Sequence, residues 1–363
     1  MMRYFSFLMY IHFVFLCSFL CCISVHGRSP FRTPEPHLPV LLTNWSNETK
    51  KYELASSYLQ EGPLFHLYDP VHFKQHLLPT TNIAFRYDPE QSVNGTELAN
   101  LIETLLVEIK NKKQKKFKHF KVIKKRDFNF KKQTGFLVLK FRNYPFVLKL
   151  FITSPEQFLK PFDYGFESCC FFIMGGGVNR YLSGFTRIKN LERLKEYIAK
   201  NEDWRPKIDF PRKWFWIPRN NRSFTITGFN IGTIGTTHQI ELPSAYALVC
   251  DEINIGHTFS LTCKENRDTA LELSNFLQQQ IDPHINNFVI DKINKKIVLI
   301  DTEHFPTMVG LEQPTNCTNY LTWYLDLSWK MFQDSFCRTK RTRREFQTRA
   351  RNSMNFFSTA YYS

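Results

Sequence analysis

Short apolar runs separated by polar turns dominate the middle of the chain. Residues 135–141 and 145–151 are rich in β-branched and aromatic side chains and are separated by three residues, a pattern that predicts two adjacent strands. Residues 288–290 and 297–300 are also apolar, and the lysine-rich segment between them is polar. The alternation therefore predicts a second pair of strands joined by a turn.

Helical periodicity appears on both sides of these strands. Thr96 precedes a stretch in which leucine and isoleucine recur every three or four residues, which predicts a helix capped by Thr96. Residues 266–280 have a similar apolar face, residues 190–200 predict a basic helix, and residues 320–336 predict a buried aromatic helix. Strands and helices together predict an α+β fold.

Polar residues flank the second pair of strands. Asp282 and Asn287 precede its first strand, and Asp301 follows its second strand. Because paired antiparallel strands place the start of one beside the end of the other, Asn287 and Asp301 are expected to lie close together. Two oxygen-bearing side chains on the same side of the hairpin are what a shared metal site requires.

This arrangement resembles the protein-kinase-like superfamily, in its atypical and aminoglycoside-phosphotransferase-like branches. In the family's H-R-D-x-x-x-x-N loop the aspartate matches Asp282 and the asparagine matches Asn287, and the metal-binding aspartate of D-F-G matches Asp301. The resemblance implies that Asp282 is the catalytic base and that Asn287 and Asp301 hold Mg²⁺. It also implies ATP as the phosphate donor and a hydroxyl-bearing substrate, either a protein or a small molecule.

The resemblance extends to a candidate phosphate-binding lysine. Phe146-Val147-Leu148-Lys149 is similar to the V-A-I-K strand of the family. Lys149 is the favoured phosphate clamp, and Lys140 is the competing choice. Glu167 is the favoured ion-pair partner of the lysine, with Glu156 as the alternative.

Residues 245–253 resemble the strand and hinge that bind the adenine, through Asp251 and Ile253. The implied fold is bilobal, with an N-terminal antiparallel sheet lobe and a small, mainly helical C-terminal lobe. The expected domains are a signal peptide or membrane anchor (1–27), an irregular extension (28–93), an N-lobe (94–250) with an insertion at about 168–237, and a C-lobe with a basic tail (251–363).

The chain departs from the family pattern in three places. Gln280 and Ile281 replace the histidine and arginine of the catalytic loop, no G-x-G-x-x-G precedes residue 135, and only 62 of the 363 residues follow Asp301. Because fold does not imply function, a catalytically inactive, pseudokinase-like binding module is the alternative hypothesis.

A metal-dependent hydrolase is a rival interpretation of the same stretch. His284, Glu303 and His304 lie close in sequence to Asp282 and Asp301, and all five are possible metal ligands. The helical H-E-x-x-H and paired C-x-x-C spacings do not occur in the chain.

The N-terminus predicts export. Residues 4–25 are almost wholly apolar and follow Arg3, as in a signal peptide cleaved after Gly27. The run is also long enough for a membrane-spanning anchor. The protein is therefore expected to be secreted, periplasmic or luminal, or anchored in a membrane. Five Asn-x-Ser/Thr sequons fit a eukaryotic lumen.

Positive charge is concentrated in two segments. The chain has 48 lysines and arginines against 33 acidic residues, a net charge of +15. Residues 110–132 hold twelve of the basic residues, interleaved with phenylalanines, and residues 338–351 form a second basic run. Both segments suit an anionic membrane surface, although a solvated strand face followed by a basic tail is the plainer interpretation. Nucleic acid is an unlikely partner because no nucleic-acid-binding module accompanies the charge.

Overall fold

The computed structural model describes residues 42–46, 51–55, 68–112, 116–154, 177–229, 237–278, 280–305 and 318–323. All of them belong to one compact unit, Val40–Ser363. Within these ranges the chain forms several antiparallel sheets and four α-helices. The predicted α+β class is confirmed.

The elements are as follows, in chain order. The helices are α1 (Pro70–Gln75), α2 (Gly95–Lys112), α3 (Gly177–Ala199) and α4 (Lys264–Phe276). The strands are β1 (Leu42–Ser46), β2 (Lys51–Ala55), β3 (Asn82–Ala84), β4 (Ser92–Asn94), β5 (Phe120–Lys124), β6 (Phe128–Asn129), β7 (Thr134–Phe141), β8 (Phe146–Ile152), β9 (Ile208–Asp209), β10 (Lys213–Trp216), β11 (Ser223–Phe229), β12 (Thr237–Pro243), β13 (Ala245–Asp251), β14 (Ile255–Thr258), β15 (Phe288–Asp291) and β16 (Ile297–Leu299).

The largest sheet has the strand order β10-β13-β8-β7-β5, and β6 adds to β7. All of its pairs are antiparallel. The first predicted strand pair is confirmed as β7 and β8, in which Leu139 lies opposite Leu148. The strand β8, which carries Lys149, is therefore central in the sheet.

Helix α2 covers one face of this sheet. Its buried leucines and isoleucines pack with the apolar side chains of β7, β8 and β13, as its helical spacing predicts. The predicted cap was wrong by two residues. Asn94 Oδ1 accepts a hydrogen bond from the backbone N of Thr96 at 2.9 Å, and the helix begins at Gly95. Asn94 is the cap because its short amide reaches the second backbone N–H of the helix.

The second predicted strand pair is confirmed as the hairpin of β15 and β16. Phe288 lies opposite Leu299, and Ile290 lies opposite Ile297. Asp291 Oδ1 accepts from the backbone N of Ile293 at 2.8 Å, which stabilises the turn. The hairpin belongs to a sheet of order β14-β15-β16-β9.

A second hydrophobic cluster joins this hairpin to two helices. It contains apolar residues of the C-terminal half of α3, of α4 and of the hairpin, among them Leu194, Leu273, Phe288 and Leu299. The predicted helix at 266–280 is thus present as α4. Helix α3 covers the predicted basic helix at 190–200 and begins earlier, at Gly177.

The remaining strands form two smaller sheets. One has the order β1-β2-β11-β12, with β2 and β11 parallel, and the other pairs β3 with β4. The expected extension at 28–93 therefore contributes α1 and four strands. The expected insertion at 168–237 contributes α3 and strand β10 of the largest sheet.

Several predicted features lie outside the described residues. These are the apolar run 4–25, Glu156, Glu167, the basic run 338–351 and most of the predicted helix 320–336. Among the residues that are described, no helix has both the length and the apolar composition to cross a bilayer.

Candidate functional site

The β15–β16 hairpin brings the two predicted metal ligands to one end. Asn287 immediately precedes β15, and Asp301 follows β16 by two residues. The backbone N of Ile300 donates to the carbonyl oxygen of Asn287 at 3.1 Å. This bond extends the hairpin pairing and holds Asn287 beside the chain that leads to Asp301.

Asp282 lies in the loop that enters the hairpin. The side-chain amide of Asn287 donates to the carbonyl oxygen of Asp282 at 2.9 Å. Asp282 Oδ1 accepts from the backbone N of His284 at 3.1 Å. These two hydrogen bonds join residues that are close in sequence, as in Asx-type turns. They stabilise the loop between the predicted base, Asp282, and the predicted metal ligand Asn287.

Lys149 reaches this site from the largest sheet. Its Nζ lies 3.2 Å from Asp301 Oδ2, and the two side chains are 13% and 19% exposed. Lys140, on the neighbouring strand β7, instead pairs with Glu252 at 2.5 Å. Of the two candidate lysines, Lys149 is the one beside Asp301.

Helix α3 contributes Arg187, which donates two hydrogen bonds to the carboxylate of Asp301. Arg187 Nε lies 2.6 Å from Asp301 Oδ1, and Nη2 lies 3.2 Å from Oδ2. Nη2 also donates to Glu303 Oε2 at 2.8 Å. Arg187 therefore bridges two carboxylates, and it is almost fully buried.

These contacts shift the pKa values of both partners. Burial alone would raise the pKa of Asp301, but the charges of Arg187 and Lys149 outweigh it and hold this pKa well below its usual range. Burial alone would lower the pKa of Arg187, but Asp301 and Glu303 outweigh it and raise this pKa. Asp301 is therefore ionised at neutral pH, as a metal ligand must be.

A second lysine, Lys213, lies behind this ion pair on β10. Its Nζ donates to Thr302 Oγ1 at 2.6 Å, and that hydroxyl donates to the carbonyl oxygen of Arg187 at 2.6 Å. Burial lowers the pKa of Lys213 to about 7, and the positive charges of Lys149 and Arg187 act in the same direction. Lys213 is thus partly neutral at physiological pH.

Asn190 anchors both segments of the site to helix α3. Its buried amide nitrogen donates to the carbonyl oxygen of Gln280 at 2.9 Å and to that of Thr302 at 3.1 Å. One side chain thereby fixes the chain just before Asp282 and just after Asp301. Such a buried, doubly bonded amide restrains the relative position of the two loops.

The predicted hinge residues lie at the end of β13. The Asp251 carboxylate is fully buried, and it accepts bonds from the backbone N and the guanidinium of Arg212 at 2.8 to 2.9 Å. This contact raises the pKa of Arg212. Ile253 packs in a small apolar cluster with Val289 and Val298. The Asp251 side chain is thus used within the protein, and adenine binding at this segment stays a prediction.

The rival metal-hydrolase ligands lie in different surroundings. Glu303 is paired with Arg187. His304 is fully buried, and its backbone N donates to Thr186 Oγ1 at 3.0 Å. In the described part of the chain, the only cluster of three histidine, cysteine or acidic side chains with metal-ligand spacing lies elsewhere. The geometry around Asp301 therefore gives the hydrolase interpretation no support.

The basic segment at 110–132 includes the edge strand β5. Three of its four phenylalanines, Phe117, Phe120 and Phe128, are buried in the core, so they are not available to stack on nucleobases. The fourth, Phe130, is partly buried against the same core. Lys121 and Lys125 are exposed. Charged side chains on an edge strand discourage pairing with other chains, which agrees with a solvated strand face.

The loop between β5 and β7 carries positive charge close to the Asp282 loop. Burial lowers the pKa of His284, and the charges of Lys124 and Arg126 lower it further. The glycine-rich sequence of the family that the chain resembles is absent from this segment.

Three residues of the site were not predicted as site residues: Arg187, Asn190 and Lys213. Each comes from the region interpreted as an insertion, and each meets Asp301 or Thr302 only after the chain has folded. Glu167, the predicted partner of Lys149, lies outside the described residues.

No family model, no curated protein and no solved structure matches this chain.

Proposed function

We propose that this protein is a kinase-like phosphotransferase that binds Mg·ATP between Lys149 and Asp301 and transfers phosphate to a hydroxyl acceptor. The observation that carries the proposal is the 3.2 Å contact between these two side chains. One comes from the central strand of the largest sheet, and the other follows the hairpin.

Mg·ATP matches this pair in charge. A metal ion would take the carboxylate oxygens of Asp301 and the side-chain oxygen of Asn287, and the phosphates would take the ammonium of Lys149. In the free protein Asp301 is paired with both Lys149 and Arg187, so binding would have to release Lys149 to the phosphates and open the carboxylate to the metal ion. Lys124 and Arg126 lie near the Asp282 loop, and both pair with Asp127.

Asp282 is the proposed general base. Its backbone carbonyl is bonded to Asn287, so base and metal ligands are held in a fixed relation. Asp282 would orient the acceptor hydroxyl and accept its proton, while Mg²⁺ and Lys149 stabilise charge on the transferred group. The fold would then be bilobal, with the five-stranded path of the largest sheet in one lobe and α4 with the hairpin in the other.

One contact favours the alternative of an inactive, pseudokinase-like binding module. Arg187 bonds to both oxygens of Asp301, at 2.6 and 3.2 Å. A guanidinium in this position competes with a metal ion for the same lone pairs. A protein in which Arg187 stays in place would bind partners, or nucleotide without metal, and would not turn over.

The apolar run 4–25 supports export or membrane anchoring as the setting for either function. In the anchored case, the exposed Lys121 of β5 and Lys125 directly after this strand would suit an anionic headgroup surface. The substrate would then be a protein, sugar or small molecule of that compartment.

Turnover of Mg·ATP by the full-length protein tests the proposal. We expect two measurable reactions. One is hydrolysis of ATP to ADP and inorganic phosphate, and the other is transfer of the γ-phosphoryl group to a hydroxyl acceptor, which also leaves ADP. Asp282→Asn should lower the rate by about 10² to 10⁴-fold, because a positioned general base contributes that much. The asparagine keeps an acceptor oxygen for the backbone N of His284, so folding should persist.

Glu303→Gln is the matched control. It removes a negative charge from the segment after Asp301 without removing the proposed base or a proposed metal ligand. The glutamine oxygen can still accept a hydrogen bond from Arg187 Nη2, so this variant should retain most of the activity. Equal turnover in Asp282→Asn and the wild type would refute the role of Asp282. Nucleotide binding without turnover in the wild type would favour the inactive binding module.

A further inference from the structure

A cluster of two histidines and a glutamate joins helix α1 to helix α3, away from Asp301 in the sequence. His72 Nε2 lies 3.2 Å from Glu192 Oε2, and His76 Nε2 lies 2.7 Å from Glu192 Oε1. The three ligand atoms all lie within 4.8 Å of one another. We propose that His72, His76 and Glu192 form a binding site for a divalent transition-metal ion such as Zn²⁺.

The local structure of α1 fixes the relative position of the two histidine side chains. His72 lies in α1, and His76 is the C-cap residue of this helix, four positions further on. The last turn therefore places them on one side, and their rings are stacked with centroids 4.1 Å apart. The helix is fixed at its start by Asp69, whose Oδ1 accepts from the backbone N of His72 at 3.1 Å. His72 is buried, which restricts its ring to one orientation.

A hydrogen bond sets the tautomer of His76. Its Nδ1 lies 2.8 Å from the carbonyl oxygen of His72. A carbonyl can only accept, so Nδ1 carries the proton, and in the neutral ring Nε2 carries a lone pair. This bond to the second ring nitrogen is the kind that orients metal-bound histidines.

The lone pair of His76 faces another acceptor. Nε2 lies 2.7 Å from a carboxylate oxygen of Glu192, and two acceptors at this distance repel unless a cation lies between or beside them. Either a second proton on the ring or a metal ion meets this requirement. The convergence of His72 on the same carboxylate favours the metal, since one ion satisfies all three side chains.

The donor set and distances suit zinc-like ions. Two imidazole nitrogens select Zn²⁺ and its neighbours over Mg²⁺ and Ca²⁺, which prefer oxygen. With metal–ligand bonds of about 2.0 to 2.2 Å, tetrahedral ligands lie roughly 3.3 Å apart, close to the 3.2 Å between His72 and Glu192. The 2.7 Å between His76 and Glu192 is shorter, so metal binding would separate these two atoms by roughly a further 0.6 Å. The side chains of His76 and Glu192 are 25% and 39% exposed, so water can occupy a fourth position.

The metal would fix α1 against α3. Helix α3 carries both Glu192 and, five residues earlier, Arg187 of the site at Asp301. The proposal does not depend on nucleotide binding, since it uses no residue of that site. A metal bound only by the folded chain would also stabilise the protein.

Co²⁺ titration of the full-length protein tests the site, because the visible d–d bands of Co²⁺ strengthen in tetrahedral coordination. We expect one equivalent to bind with such a spectrum, to be displaced by Zn²⁺ and to remain in excess Mg²⁺. Glu192→Gln should weaken binding by more than about 100-fold, beyond the effect of losing an outer hydrogen-bond partner. His76→Gln should do the same and serves as the second variant, because His76 is less buried than His72.

Glu196→Gln is the matched control, since it makes the same charge change on an exposed position of the same helix. It should bind Co²⁺ like the wild type. Far-ultraviolet circular dichroism of each variant checks folding. Absence of the tetrahedral spectrum in the wild type, or an equal titration in Glu192→Gln, His76→Gln and Glu196→Gln, would overturn the proposal and leave a protonated histidine–glutamate bridge.

Discussion

Lys213 is a buried lysine beside two other cations. Its ammonium faces Thr302, and burial together with the charges of Lys149 and Arg187 lowers its pKa to about 7. An ordinary lysine titrates near 10.4. Between these two pKa values, Lys213 is protonated in the unfolded chain and neutral in the folded chain, so folding releases a proton.

This difference predicts a pH dependence of stability. Between about pH 7 and 10.4 the unfolded chain binds a proton at Lys213 that the folded chain lacks, so the free energy of unfolding rises with pH. Below pH 7 both states are protonated, and the cost of burying the charge is fully present. In Lys213→Met this contribution is absent. The wild type should gain about 1 kcal/mol per pH unit relative to the variant from pH 7 to 9, measured by urea unfolding.

Thr302→Val separates this titration from the loss of a hydrogen bond. The variant removes the acceptor for Lys213 but keeps the lysine, so it should be less stable at every pH and retain the slope. Parallel stability curves for Lys213→Met and the wild type between pH 7 and 9 would contradict the burial argument.

Local spacing in the sequence predicted the hairpin, whose apolar runs and polar turn are visible there. Asn287 and Asp301 flank this hairpin, Asp282 lies in the loop before it, and their roles in a site stay a prediction. Arg187 and Lys213 are ordinary basic residues in sequence. Their role depends on contacts with residues 114 and 89 positions away, and no periodicity encodes such contacts.

At the scale of elements, helix α3 packs closely against the side chain of Tyr246 on strand β13 at Gly184. A Cβ atom at this position would clash with the hydroxyl oxygen of Tyr246 and would lie 2.9 Å from its Cζ and 3.0 Å from Phe151 Cζ. Tyr246 is fully buried, and its ring stacks on those of Phe151 and Phe185. The rings therefore have little space in which to move.

Gly184→Ala should destabilise the protein by about 1 to 3 kcal/mol, the range for overpacking of a core. Helix propensity alone would predict the opposite change, because alanine is more favourable than glycine in a helix by about 1 kcal/mol. Urea unfolding of Gly184→Ala, Tyr246→Phe and the double variant measures the coupling. Because Tyr246→Phe removes the clashing oxygen, the double variant should lose less stability than the sum of the two single variants. Additive losses, or a more stable Gly184→Ala, would contradict close packing at this position.

Elements defined by local pattern were predictable, and those defined by packing were not. The β7–β8 and β15–β16 pairs and helix α4 follow from short-range alternation and spacing. The start of α3 contains Gly184, which weakens a helical pattern, and its burial against aromatic residues overrides that preference. Strand β10 has only four residues, and its place beside β13 depends on long-range pairing.

At the scale of the whole molecule, charges from three separated parts of the chain meet at one carboxylate. Lys149 comes from the largest sheet, Arg187 from α3, and Asp301 from the segment after the hairpin. Under the proposed function, Mg²⁺ would bind Asp301 and the phosphates would bind Lys149. Nucleotide binding should therefore depend on Mg²⁺ through Asp301 and on phosphate through Lys149.

The most direct test is the melting temperature of the full-length protein with ATP, in the presence and absence of Mg²⁺, because a ligand that binds only the folded state raises it. Mg·ATP should stabilise the wild type and Glu303→Gln. Lys149→Met should lose the effect of ATP, and Asp301→Asn should lose the additional effect of Mg²⁺. No shift in the wild type, or the same Mg²⁺-dependent shift in Lys149→Met and Asp301→Asn, would contradict a nucleotide site at these residues.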